Sequence, residues 1–164
     1  MAEVRSSVTG DAAVDIAAVS AVFAASRALL GVVAQSMGDA LELVTLPQFR
    51  AITILSVSEP MPARDLAERL GVAASTMSRS VERMVVQGWV ERASNPNDRR
   101  ETVLTATLKG RRLIADVAGR RRALLEAIVA RVPETERPAL LASFQTFVEA
   151  AGEPSATDLQ LLGL

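Results

Sequence analysis

Two amphipathic runs joined by a short glycine-containing connection constrain the fold more than any other feature of the chain. From Ala63 to Leu70, the residues Leu66, Ala67 and Leu70 share one face, and Gly71 stands where a left-handed cap ends a helix. A second helix is expected from about Ala74, with Met77, Val81, Met84 and Val85 on its apolar side. Its other side carries Thr76, Ser78, Arg79, Glu82 and Arg83. A short helix, a glycine turn and an amphipathic helix make a helix-turn-helix pattern. Hydroxyls near the amino end and arginines further along suit a helix entering the major groove of DNA. Taken alone, the second run also describes an ordinary surface helix, so its neighbours must decide. Its weak point is Ala73-Ala74, where a capping side chain is expected; Ser75 is the nearest substitute.

Upstream, Leu46-Pro47-Gln48-Phe49 opens a helix with proline in its first turn and Phe49, Ile52 and Leu55 on its core face. Downstream of Gly88 the period changes. Trp89-Val90-Glu91-Arg92 alternates, as does Thr102 to Thr107, and the turn formers Ser94-Asn95-Pro96-Asn97-Asp98 lie between them. A hairpin in this position is a wing. Adjacent Arg99 and Arg100 at its tip suit the negative potential of a minor groove, the alternative being a solvated tip with incidental charge.

The flanks are helical and more apolar. Residues Met1 to Gly10 are polar and expected to fray, and a long helix is expected from Asp11 to Met37. Ile16 to Ala34 is apolar enough to raise a membrane span or a signal peptide. Arg27, Ser20, Ser26 and Asp15 argue against a span, and the lack of a leading basic run argues against a signal. The better reading is a helix apolar on two flanks, one with Ile16, Val19, Phe23 and Leu30, the other with Val22, Leu29 and Val33. A small domain cannot easily bury both, whereas a second subunit can. Another long helix is expected from Leu108 to Val132, broken by Pro133, with Leu113, Val117, Leu124 and Ile128 among its apolar positions. Its early Lys109, Arg111 and Arg112 are within reach of phosphate, and Arg120-Arg121-Arg122 reads as a solvated or salt-bridged face. A final helix, about Glu134 to Ala151, precedes a tail rich in leucine that is expected to dock on a partner subunit.

The net charge of −1 does not favour a polyanion, but its distribution does. Met61 to Arg122 holds thirteen basic against seven acidic side chains, and the remainder five against twelve. The chain has neither cysteine nor histidine. Disulfides and thiol chemistry are excluded, and so are the usual metal ligand and the usual general base near neutral pH. No metal site and no cofactor are expected. An enzyme would need a Ser-Lys or carboxylate site, yet the single lysine precedes Gly110 and no nucleophile elbow is evident.

In this order and spacing the motifs resemble those of the MarR family of winged-helix regulators. The matching pieces are Pro47-Gln48-Phe49, Asp65 to Val72, Thr76-Met77-Ser78-Arg79 with Val81-Glu82-Arg83-Met84, Gly88 to Arg92, Asn95 to Arg100, and Leu104-Thr105. The resemblance implies a homodimer whose terminal helices intertwine, with paired recognition helices and wings on a pseudo-palindromic duplex. By position, Ser75, Thr76, Ser78, Arg79 and Arg83 would face the major groove. Arg100 would enter the minor groove, with Asp98 holding its guanidinium and Arg99 near the backbone. Ala73 departs from the family's Ser or Thr, and the lack of cysteine rules out its thiol-based oxidant sensing. Family regulators often bind small aromatic or lipophilic anions between the dimer helices and the winged domain. The candidate lining here is Phe23, Met37, Leu43, Phe49, Met61 and Met84, residue types that equally make plain core.

The expected fold is therefore mainly α with a small β wing. Residues 46–107 would form the winged helix-turn-helix domain, and residues 11–45 and 108–164 the helical dimerisation region. The expected function is that of a cytoplasmic, homodimeric DNA-binding transcriptional regulator, a repressor without catalytic activity. The alternative is a winged-helix module that binds protein and not DNA.

Overall fold

The computed structural model describes residues 15–95 and 101–152. The amino-terminal residues expected to fray, the wing-tip residues Asp98, Arg99 and Arg100, and the leucine-rich tail lie outside them. Helix α1 spans Ile16–Leu43 and is capped by Asp15, whose carboxylate accepts the Ala17 N–H at 2.8 Å. It thus starts later and runs further than the expected 11–37, because nothing from Gly38 to Leu43 breaks it before the extended Val44. Helix α2, Leu46–Val57, begins with a capping box. The Thr45 hydroxyl accepts the Gln48 N–H at 3.4 Å, and Gln48 Oε1 accepts the Thr45 N–H at 2.9 Å.

Helix α3, Ala63–Leu70, ends on Gly71 at φ +66°, a left-handed position that suits glycine. Helix α4, Ala74–Val86, follows directly, with Ala73 as N-cap and no side-chain cap bond. Ser75 therefore does not supply the missing cap: it already lies within the helical first turn. Strands β1, Val90–Ser94, and β2, Thr102–Ala106, pair antiparallel, with Val90 opposite Ala106 and Ser94 opposite Thr102. Met61 exchanges backbone hydrogen bonds with Leu104 at 3.3 and 2.8 Å, which ties the entrance of α3 to the hairpin.

Helix α5, Leu108–Val129, is capped by Thr107 and stops three residues short of the expected Val132. Pro133 disfavours helical geometry in the residue before it, and the chain begins to turn at Ala130. A 3-10 turn, Glu134–Glu136, leads into helix α6, Arg137–Ala150.

One core joins these elements. Phe49, Ile52 and Leu55 of α2 meet Leu66 of α3, Met77, Val81 and Met84 of α4, and Trp89, Val90 and Leu104 of the hairpin. Met37, Ala40 and Val44 from α1 and Leu113, Ile114 and Val117 from α5 complete the same cluster. The core therefore crosses the expected boundaries near residues 45 and 107, so the winged unit is seated on the long helices. Elsewhere those helices are bare. Helix α1 is long and apolar enough to cross a membrane, yet its carboxy-terminal part buries Val32, Ser36, Met37 and Ala40 within the protein. Its earlier turns leave Ile16, Phe23 and Leu30 exposed, and α6 buries none of its residues.

Candidate nucleic-acid interface

The two sides of α4 divide as the sequence pattern requires. Met77, Val81 and Met84 are buried, fixing the roll of the helix about its axis. That roll leaves Ser75, Thr76, Ser78, Arg79, Glu82 and Arg83 exposed together. Arg79 and Arg83 are four residues apart and lie one above the other on this face. Among the described residues neither guanidinium has an ion-pair partner. Two free forks and three hydroxyls on one helical face can donate to base edges and phosphate oxygens. With no side-chain cap at Ala73, the first amides of α4 add donors at its amino end.

The base of the wing is closed by Asn95 together with Glu101 and Arg64, two residues that the sequence pattern does not single out. Asn95 and Glu101 bracket residues 96–100. The Asn95 N–H donates to the Glu101 carbonyl at 2.9 Å, and Asn95 Nδ2 donates to Glu101 Oε2 at 2.7 Å. Arg64 at the start of α3 pairs with Glu101 at 3.2 Å and with Asp65 at 3.1 Å. Arg64 is largely exposed, so such pairs contribute at most about 1 kcal/mol. Their consequence is geometric: the wing base is tied to the helix-turn-helix. Asn95 was legible as a turn former, but no local signal pairs Arg64 with Glu101.

The six candidate pocket residues do not share one cavity. Met37, Phe49, Met61 and Met84 are buried in the core, while Phe23 and Leu43 are exposed at 66% and 55%. Among the described residues, a cleft of about 1020 Å³ lies between α2 and α5. Phe49 and Thr53 form one wall, Ile114, Val117, Ala118 and Leu125 the other, and Arg121, Arg122 and Arg137 reach it. Of the six, Phe49 alone lines this cleft; Leu43 borders a shallower depression beside Trp89. The physical reason is packing: α1 buries Met37 but leaves Phe23 exposed, and Met61 and Met84 enter the same core from the hairpin bridge and from α4. The arginine run is salt-bridged in part, one of the two expected readings: Arg120 pairs with Asp39 at 3.7 Å and also donates to the Ser36 carbonyl at 3.1 Å. Among the described residues, no group of three or more acidic side chains could hold a metal ion.

Comparison with known proteins gives consistent matches. A model described as the MarR family matches residues 44–102. The multiple antibiotic resistance protein MarR of Escherichia coli K12 is 31% identical over 67 residues, which make up 41% of this chain and 46% of that protein. The chain thus spans about half the length of the curated relatives it matches. Among solved structures, RV1404 from Mycobacterium tuberculosis superposes with a TM-score of 0.70 at 36% identity, over 85% of this chain and 95% of that one. Transcriptional regulator Tm0710 from Thermotoga maritima gives 0.65 at 25% identity, over 77% and 92%.

Proposed function

Because the chain belongs to the MarR family, we propose that it is a homodimeric transcriptional regulator that reads duplex DNA and represses from a pseudo-palindromic operator. The observation that carries this reading is the outer face of α4, where Ser75, Thr76, Ser78, Arg79 and Arg83 stand exposed and the two arginines are unpaired among the described residues. Such a face has little to gain from packing on protein and five side chains able to donate to a duplex. Arg100 serves as the minor-groove arginine, Asp98 orients its guanidinium and Arg99 stays near the backbone. Phosphate contacts supply much of the affinity, so binding falls steeply with salt. Base reading comes from α4, with half-sites about one helical turn, near 10 base pairs, apart.

Dimerisation uses residues 11–45 and 108–164, with residues 46–107 presented to DNA. The exposed Phe23 and Leu30 of α1 and Leu141, Phe144 and Phe147 of α6 support this assignment. Full burial of each such side chain contributes about 1.5–3 kcal/mol, enough in sum to favour a second copy over water. The α2–α5 cleft, apolar with arginines around it, suits a small lipophilic or aromatic anion whose binding releases the DNA. The chain acts in the cytoplasm and has no catalytic role.

The test is anisotropy titration of the chain against duplex fragments of the source genome over a range of salt. Affinity that falls linearly on a log–log plot supports the reading. Retention of protein partners with no duplex binding at low salt would point to the protein-interaction alternative.

A further inference from the structure

The carboxyl end of α4 is closed by side chains from the start of α5. Helix α4 ends at Val86 with Gln87 as its C-cap, Gly88 turns the chain at φ +75°, and Trp89 follows in the core. The carbonyls freed at this turn find their partners some twenty residues later. Lys109 Nζ donates to the Gln87 carbonyl at 2.8 Å. The Thr107 hydroxyl, which caps α5 by accepting the Gly110 N–H at 3.1 Å, donates to the Gly88 carbonyl at 2.7 Å. The Thr107 N–H donates to the Trp89 carbonyl at 3.1 Å.

The Lys109 ammonium also sits 3.8 Å from the centroid of the Trp89 ring, within cation–π range. Gly110 lets the start of α5 approach the turn after α4 this closely: a Cβ there would collide with the Trp89 carbonyl oxygen. The chain's one lysine and its one tryptophan thus meet at the joint between α4 and α5. Helix α5 in turn packs on α1 and α2.

We propose that Lys109 is a positioning residue for DNA reading: held between the Trp89 ring and the Gln87 carbonyl, its ammonium sets the angle of α4 on α5. This rests on the DNA-binding reading above and adds a determinant that does not touch the duplex. Leverage makes the angle matter. At 1.5 Å per residue α4 is about 20 Å long, so a tilt of about 10° at its fixed end displaces the far end by roughly 3 Å. That is enough to break a hydrogen bond between Ser75 or Thr76 and the duplex. In a dimer the displacement acts on both half-sites.

A phosphate contact and a positioning contact predict different measurements. The variants are Lys109→Met, which keeps the stem and loses the ammonium, and Lys109→Arg, which keeps a cation and a donor over the ring. Each is titrated with a duplex enriched from the source genome and with random duplex, at several salt concentrations. Trp89 emission is read in the same samples, and thermal unfolding reports on the fold. Lys109→Met is expected to weaken the enriched duplex roughly two- to tenfold, from the size of an exposed cation–π contact plus a hydrogen bond. Random-duplex affinity and the salt slope should stay as in the wild type, Trp89 emission should change, and Lys109→Arg should restore both affinity and emission. An equal loss on both duplexes, with the salt slope reduced by about 1, would make Lys109 a phosphate contact and overturn the proposal. Unchanged affinity for the enriched duplex alongside altered Trp89 emission would overturn it as well. A wild-type chain that bound no duplex would instead remove the functional reading, and this inference with it.

Discussion

Arg120 on α5 donates through Nε to the carbonyl of Ser36 on α1 at 3.1 Å, across 84 residues of sequence. Its neighbour Arg121 donates to the Ser36 hydroxyl at 3.4 Å. This pair of contacts marks a border. Towards the winged unit, α1 and α5 both lie in the core, through Met37, Ala40 and Val44 and through Leu113, Ile114 and Val117. Away from it, both helices present apolar side chains to solvent, Phe23 and Leu30 on one and Ile128 and Val129 on the other. The clamp holds the two helices together where the core of a single chain runs out.

That bare end is the proposed dimer face, and Leu30→Glu and Phe144→Glu test it. Both positions are exposed in the single chain, so its fold should survive substitution. Each variant should sediment as a monomer at concentrations where the wild type is a dimer. Affinity for an enriched duplex should fall more than tenfold, because one half-site cannot hold the protein as two do.

On the reading face, Arg79→Ala and Arg83→Ala should reduce discrimination between enriched and altered sites by about 1–3 kcal/mol for whichever arginine pairs with a base edge. Ser78→Ala should change site preference with little effect on random duplex. Arg100→Ala should weaken all sequences alike and lower the salt slope by about 1. Competition titrations at fixed salt separate these behaviours.

Two glycine substitutions should rank in a fixed order. Gly71→Ala meets no neighbouring atom and bears only the strain of φ +66°, about 1–2 kcal/mol. Gly110→Ala drives a methyl into the Trp89 carbonyl and lies 3.2 Å from Ile52 Cγ2, so backbone must shift, at roughly 1–3 kcal/mol or more. Urea unfolding should show the larger loss at Gly110. It should also show weakened DNA binding there among molecules that remain folded, since Gly110 belongs to the α4–α5 joint.

The cleft between α2 and α5 should take a lipophilic carboxylate. Arg121 is engaged with Ser36, which leaves Arg122 as the freer cation among the described residues lining it. Isothermal titration with an aromatic carboxylate should show weaker binding to Arg122→Ala and none to Ala118→Phe, whose ring fills the wall. Equal binding to all three proteins would place the ligand elsewhere.

Much of the winged unit was readable from local signals. Pro47 announces the start of α2, Gly71 announces the end of α3, and the spacing of Met77, Val81 and Met84 gives the roll of α4. The joint was not readable. Lys109 and Gln87 are 22 residues apart on different elements, and no periodicity links a basic residue to one carbonyl. The same holds for Arg64 and Glu101 at the wing base. Helix α1 concealed more: apolar on both flanks, it gave no sign that Met37 would be buried and Phe23 exposed. Methionine and phenylalanine fit a pocket and a packed core equally well, so residue type could not tell that Met37, Met61 and Met84 would be buried in the core.

Two copies of the chain are proposed to read one duplex through paired α4 faces. Selecting duplex fragments of the source genome on the intact protein at about 100 mM salt, then sequencing them, tests it most directly. The expected result is enrichment of an inverted repeat whose half-site centres lie about 10 base pairs, one helical turn, apart. Recovery of fragments with no sequence in common, or of a single motif without its inverted partner, would contradict it.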